Sequence, residues 1–480
     1  MSYKTPGVYI KEISKFPPSI AEVETAIPAF IGYTERAFKD GMDYTNIAVR
    51  IKSLVEYESI FGGAFHERIT ATIDTTGTEE TVDSVALSFP FTYRMYYSLQ
   101  LYFANGGGPC YIISVANYTS DPSATAPSIV AATLLTGMPT LKKEDEPTLI
   151  VYPDAISITS GAANFYSLYT DGTHGALKQC ADLMDRFALV DIYQGNLDFN
   201  EAGGTDVINS SPDGFRSRIG TSFLKYGAAY YPWLRSVFTY QYNENQVSIT
   251  GSATAATVLK DDTSVGTSLF HINNALYNSV VEEIKKMKVV LAPSAAIAGV
   301  YATVDNSRGV WKAPANISLN AVIEPLVRLD NDANDNLNVH TSGKSVNAIR
   351  SFSDKGVMVW GARTLAGNDN EWRYINVRRF YNMVEESTKK ATSNFVFEPN
   401  DANTWVKVRS MIENFLMNQW RNGALAGAKP DQAYFVRVGL GETMSALDIL
   451  EGRMVVEIGM AVVRPAEFII LKFSHMMQQS

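Results

Sequence analysis

Asp154, His174 and Ser222 occur in the chain order of a subtilisin-type serine hydrolase. In such a triad the imidazole takes the hydroxyl proton and the carboxylate orients the imidazole. Asp154 follows the apolar run Leu149-Ile150-Val151-Tyr152-Pro153, His174 sits in Gly172-Thr173-His174-Gly175, and Ser222 ends Gly220-Thr221-Ser222. The spacing argues against the triad. His174 and Ser222 are 48 residues apart, from 174 to 222, where subtilisin has about 150. A strand-end turn explains Asp154 equally well, and a helix residue explains Ser222. An α/β hydrolase-like enzyme using a Ser222/His174 pair is therefore the alternative reading only. Gly343-Lys344-Ser345 has the ending of a phosphate-binding loop, but the required glycine five positions earlier is Asn338.

Metal chemistry has little to work with. Neither Cys110 nor Cys180 lies in a Cys-x-x-Cys, and the five histidines include His66, His271 and His340 in polar surroundings and His475 near the end. No metal, no cofactor and no catalysis are expected. Two cysteines in 480 residues exclude a disulfide framework and fit a reducing compartment. With 41 Lys and Arg against 50 Asp and Glu, the net charge of −9 argues against a general grip on nucleic acid or anionic lipid. Met1–Ile20 has no signal-peptide h-region. Val289–Val304, broken by Pro293 and Ser294, is too short to span a bilayer. The expectation is a chain soluble when made, without membrane insertion.

The elements that must position these residues alternate. Helical spacing over Phe91–Ala104 ends at Asn105-Gly106-Gly107-Gly108, followed by strands at Cys110–Val115 and Thr148–Tyr152. A helix at Ala176–Phe187 and strands at Ala188–Ile192, Tyr226–Trp233 and Val289–Leu291 continue the pattern. A further helix runs from Ser294 to about Val304. Short apolar strands alternating with helices predict an α/β domain at 29–355, with a mainly parallel sheet sandwiched by helices. Segments near 66–85 and 236–268 read as surface insertions, each a hairpin. After Gly356, amphipathic helices at Arg373–Lys390 and Thr404–Asn422 and strands at Ala433–Val438 and Met454–Ile458 predict a smaller α+β domain over 356–463.

The two ends stand apart. Val8, Tyr9 and Ile10 form a short strand in an arm, residues 1–28, stiffened by Pro17-Pro18. Glu467-Phe468-Ile469-Ile470-Leu471-Lys472-Phe473, in a terminal segment 464–480, is a strand apolar on both faces. An unpaired apolar strand is an aggregation hazard. Either both strands fold onto the chain's own last domain, or each completes a sheet in a neighbouring copy, which propagates head to tail into an open helical array.

The chain resembles the contractile-tail sheath proteins of phages, R-type bacteriocins and extracellular contractile injection systems. Thr5-Pro6-Gly7-Val8-Tyr9-Ile10, Asn105 to Tyr111, Ser211-Pro212-Asp213-Gly214, Tyr230-Tyr231-Pro232-Trp233 and Arg308 to Asn316 carry the likeness. So do Trp360 to Leu365, Glu371 to Arg379, Phe397-Glu398-Pro399-Asn400 and Arg464-Pro465-Ala466-Glu467-Phe468-Ile469. The resemblance implies a non-catalytic, subtilisin-like outer domain, an inner tube-facing domain and extended terminal β-arms that weave subunits together. It implies partners: identical subunits in stacked rings, an inner tube protein, and baseplate and terminal cap proteins. It implies assembly in the cytoplasm into a phage tail or tail-like particle, either released or membrane-anchored. Charged residues of the two C-terminal helices, Lys407, Arg409, Glu413 and Arg421 on one and Arg378 and Arg379 on the other, are the tube-facing candidates. The insertions fall where nothing is shared and read as outward decoration.

Overall fold

The computed structural model describes residues 20–89, 92–118, 129–199, 206–209 and 212–471. These fall into two compact units, one of residues 24–382 with the segment from Arg464, the other of residues 383–463 with the segment ending at Val23.

In the larger unit, the strands Pro28–Thr34, Leu149–Val151, Phe187–Asp191 and Gly227–Tyr231 are buried at every residue. Continuous burial is what a strand covered on both faces requires. They are parallel members of a mixed sheet, nine-stranded among the described residues. Its parallel core runs, in spatial order, Val346–Phe352, Gly227–Tyr231, Phe187–Asp191, Leu149–Val151, Pro28–Thr34 and Cys110–Asn117. Alternate residues feed opposite cores. Ile31, Ile113, Ile150 and Val190 pack under the helices Ala162–Thr170 and Ala176–Leu183. Phe30, Ile112, Val151 and Leu189 pack under Met95–Ala104 and Ser294–Arg308. The sheet is therefore doubly wound. Its order reverses between Pro28–Thr34 and Leu149–Val151, the switch point at which such folds bind ligands.

The two expected insertions are one body. Ile69–Asp74 and Thr81–Leu87 form the expected hairpin. The second segment folds back on itself through an antiparallel bridge, Ser248 to Val258, and Ser248–Thr250 also pairs parallel with Ile69–Asp74, extending that sheet to three strands. Leu259 and Leu269, with Leu276, Val280 and Ile284 of the helix Asn274–Lys286, close a separate apolar core over it. Local periodicity shows the strands but not that segments 170 residues apart share a core.

In the smaller unit the helix Ala402–Arg421 starts at Asp401, whose carboxylate accepts from the Thr404 amide at 2.9 Å. It buries Val408, Met411, Ile412, Phe415 and Leu416, which recur at helical spacing. Tyr434–Arg437 and Glu457–Met460 make an antiparallel pair, a two-stranded sheet among the described residues.

The domain boundary expected at 355/356 lies at 382/383, inside the helix Ile375–Thr392. Gly356–Val359 pairs with Val346–Phe352 and so belongs to the large sheet. The following turn is bolted to the same sheet by Asn347. Its side chain accepts from the Arg363 amide at 2.8 Å and donates to the carbonyls of Arg363 at 2.8 Å and Ala229 at 3.1 Å. Gly361 leaves room for this, since a Cβ there would meet Asn347 Oδ1 at 2.7 Å and its Cα at 3.0 Å. Replacing Gly361 with Ala is expected to cost about 1–3 kcal/mol in urea unfolding, the price of overpacking against a strand backbone that cannot shift.

Candidate functional site

The switch point is filled by the chain itself. Asp154, just past the end of Leu149–Val151, is fully buried. Its carboxylate accepts from the amides of Tyr33 at 2.7 Å, Arg94 at 2.5 Å and Met95 at 3.1 Å. Arg94 and Met95 begin the helix Met95–Ala104, so Asp154 supplies the anion where a nucleotide-binding fold would hold a phosphate. Gly32 permits the approach: a Cβ there would lie 2.3 Å from Asp154 Oδ2. Asp191 repeats the device at the end of Phe187–Asp191. Ser294, first residue of Ser294–Arg308, donates to it from Oγ at 2.6 Å and from its amide at 3.1 Å. Burial raises both carboxyls, Asp154 to about 6 and Asp191 to about 7, and the hydrogen bonds they accept offset only part of that rise.

No triad forms. Asp154 spends its oxygens on backbone amides. His174 is exposed in a turn where its amide, with that of Thr173, donates to Asp171. Ser222 is exposed. Among the described residues no hydrogen bond joins any two of Asp154, His174 and Ser222. Lys344 does not face a ligand cradle either, for its ammonium donates to the Arg216 carbonyl.

The charged-helix candidates divide. Arg378 and Arg379 are buried in the larger unit, which removes them from any tube-facing surface. Arg378 lies 4.4 Å over the Trp372 ring and donates to Asn382. Arg379 pairs with buried Asp305 at 2.5 Å. Near-continuous burial of Tyr374–Phe380 was invisible in the sequence because each guanidinium brings its own partner. Arg409 is spent on Glu442 at 2.7 Å and the Val438 carbonyl at 3.0 Å, and Glu413 is half-buried. Lys407 and Arg421 are exposed and form no ion pair among the described residues.

At the termini, Val8, Tyr9, Ile10 and Phe473 lie outside the described residues. Phe468, Ile469, Ile470 and Leu471 are 71, 79, 79 and 72% exposed. They are assigned to no strand and pair with no described strand. The residue before them behaves oppositely. Glu467, expected to open the strand, is 16% exposed and forms a two-pronged pair with Arg363, Nη2–Oε2 at 2.6 Å and Nε–Oε1 at 2.9 Å. The only sequence signal for it was an acid abutting an apolar run.

Residues 367–474 match the protein family described as the phage tail sheath C-terminal domain. Over 134 residues the chain is 25% identical to the tail sheath protein of Enterobacteria phage T4, a match spanning 28% of this chain and about a fifth (20%) of the phage protein. Its fold is similar to that of the PVC sheath of an extracellular contractile injection system in its contracted state. That likeness has 29% identity and a TM-score of 0.63, over 99% of this chain and 98% of that one. The anti-feeding prophage helical sheath in its contracted state is 31% identical at a TM-score of 0.60, over 98% of this chain and 99% of that one. The chain belongs to the contractile tail sheath family. For a tail sheath protein the closed switch point is intelligible, since a ligand-binding crevice has no part in a frame. No helix among the described residues is long and apolar enough to cross a membrane.

The buried acids give the frame a pH signature. A carboxyl raised to about 7 when folded, against about 3.9 when unfolded, keeps its proton where the unfolded chain has lost it. Stability therefore falls as pH rises from about 4 to about 7 and is level above. Urea unfolding is expected to show roughly 2 kcal/mol more stability at pH 5.5 than at pH 7.5 from Asp191 alone. Asp191→Asn, which can accept from the Ser294 amide and donate to its hydroxyl, is expected to remove the Asp191 share of that slope and leave the smaller share from Asp154.

Proposed function

We propose that this chain is the structural subunit of a contractile sheath that polymerises helically around an inner tube and contracts to drive that tube through a target envelope. The single observation that carries the reading is the exposed run Phe468–Leu471. Burying a side chain of this size contributes about 1.5–3 kcal/mol, an upper figure before ordering costs, so four of them represent a strong drive toward association. A two-stranded sheet is marginal by itself, and donated strands extend it. In this reading Val8–Ile10 and Phe468–Phe473 each complete a sheet in a neighbouring copy. Contraction passes from ring to ring through them, and the work comes from surface buried between outer units in the short state. The extended form is kept by a kinetic barrier.

The family likeness supports the remaining partners, an inner tube, a baseplate and a terminal cap, without direct nucleic-acid binding. It supports cytoplasmic assembly into a phage tail or tail-like particle, and a large unit that is a non-catalytic, subtilisin-like frame. The composite insertion is proposed as outward decoration. Lys407 and Arg421 remain the tube-facing candidates, since weak polar contacts suit a surface that must release.

Truncation after Glu467 is expected to abolish polymer formation by the purified chain, scored by negative-stain microscopy and sedimentation. His174→Ala with Ser222→Ala is expected to polymerise normally. Separately, Lys407→Glu with Arg421→Glu is expected to leave sheath polymers intact and to lower tube occupancy at least tenfold when tube protein is present. Unchanged occupancy removes that helix from the tube surface.

A further inference from the structure

The usual arrangement of a surface segment is reversed at the C-terminal end. Within one residue the chain passes from a carboxylate that is 16% exposed to a phenyl ring that is 71% exposed. The charged residue is docked on the larger unit, while the apolar ones that could have covered that unit are left in water. Such a segment is tethered by its acid and kept open for burial elsewhere.

The acceptor of the tether is built for it. The Arg363 side chain is 3% exposed. Its Nη1 faces the carbonyls of Gly367 at 3.3 Å and Asn338 at 3.4 Å, while Nε and Nη2 are directed at Glu467. Tyr374 adds a hydroxyl to Glu467 Oε2 at 3.3 Å. The planar fork matches a carboxylate in two bonds and so fixes orientation as well as distance. Behind the side chain, Asn347 locks the Arg363 backbone to the central sheet, Leu365 donates to the Gly227 carbonyl at 2.8 Å, and Arg363 bridges to Tyr374.

We propose that the Arg363–Glu467 pair is the fixed origin of the donated C-terminal strand, a positioning pair through which tension on that strand reaches the parallel sheet of the subunit that donates it. The proposal rests on the strand-donation reading above. Glu467 itself makes no part of the donated apolar face; it sets where the strand begins and in which direction it leaves.

The test uses the full-length chain with a nitroxide on Ala466→Cys, an exposed position, the native Cys110 and Cys180 being buried. With Glu467 present the label is expected to give a slow-motion spectrum. Glu467→Gln is expected to shorten its correlation time at least threefold and to raise the critical concentration for polymerisation about tenfold. Glu467→Asp keeps the charge but is one methylene short of the fork, and an intermediate result is expected. It serves as the readout where the Gln variant does not fold. Unchanged label mobility in these variants overturns the proposal. A mobile label with polymers forming at the normal concentration also overturns it, because the tether is then not used. Polymerisation of the chain truncated after Glu467 refutes strand donation itself and is read independently of the label.

Discussion

The Arg363–Glu467 ion pair docks the last described segment on the larger unit and leaves the apolar run that follows it in water. Phe468–Leu471 are exposed although the larger unit, to which their segment belongs, buries nearly every other large apolar side chain of its central strands. The reason is local. Glu467 fastens the segment by a charge pair, and Pro465 restricts the backbone on the way in. In the proposed donation, the hydrophobic effect would drive association between copies and the charge pair would set where it starts.

The frame behind this tether has the outline of a ligand-binding α/β fold with its binding place closed. Two helix N-termini that would attract anions receive Asp154 and Asp191 instead. Each carboxylate ties the end of a central strand to a helix on one face, which stiffens the sheet against shear. The cost is a buried acid whose ionisation opposes folding at neutral pH.

Much of the frame was legible in the sequence because apolar runs with turn residues at their ends report strands directly. Leu149–Val151 and Phe187–Asp191 are examples, and the helix–strand alternation between them reports the parallel sheet. What escaped was whatever depends on distant partners. Arg378 and Arg379 looked like a solvated face and are buried on Trp372 and Asp305. The pairing of Ser248–Thr250 with Ile69–Asp74, and the attachment of 356–382 to the larger unit through Asn347, leave no local periodicity to read. Glu467 reads as a strand residue because its neighbours are strand formers. Its role is fixed by Arg363, which lies 104 positions away in sequence.

The absence of a linker between tether and strand has a mechanical consequence. A flexible linker of n residues can take up about 3.3–3.6 Å of displacement per residue before it pulls on anything. Phe468 directly follows Glu467, so no such slack exists between the apolar run and Arg363. In the proposed donation, a neighbour that moved its captured strand would therefore move the Arg363 turn, and with it the Val346–Phe352 strand to which that turn is bonded. Compliance must come from side-chain and backbone rotation elsewhere. In the proposed polymer, this would convert a flexible arm into a stiff coupling without adding any contact area.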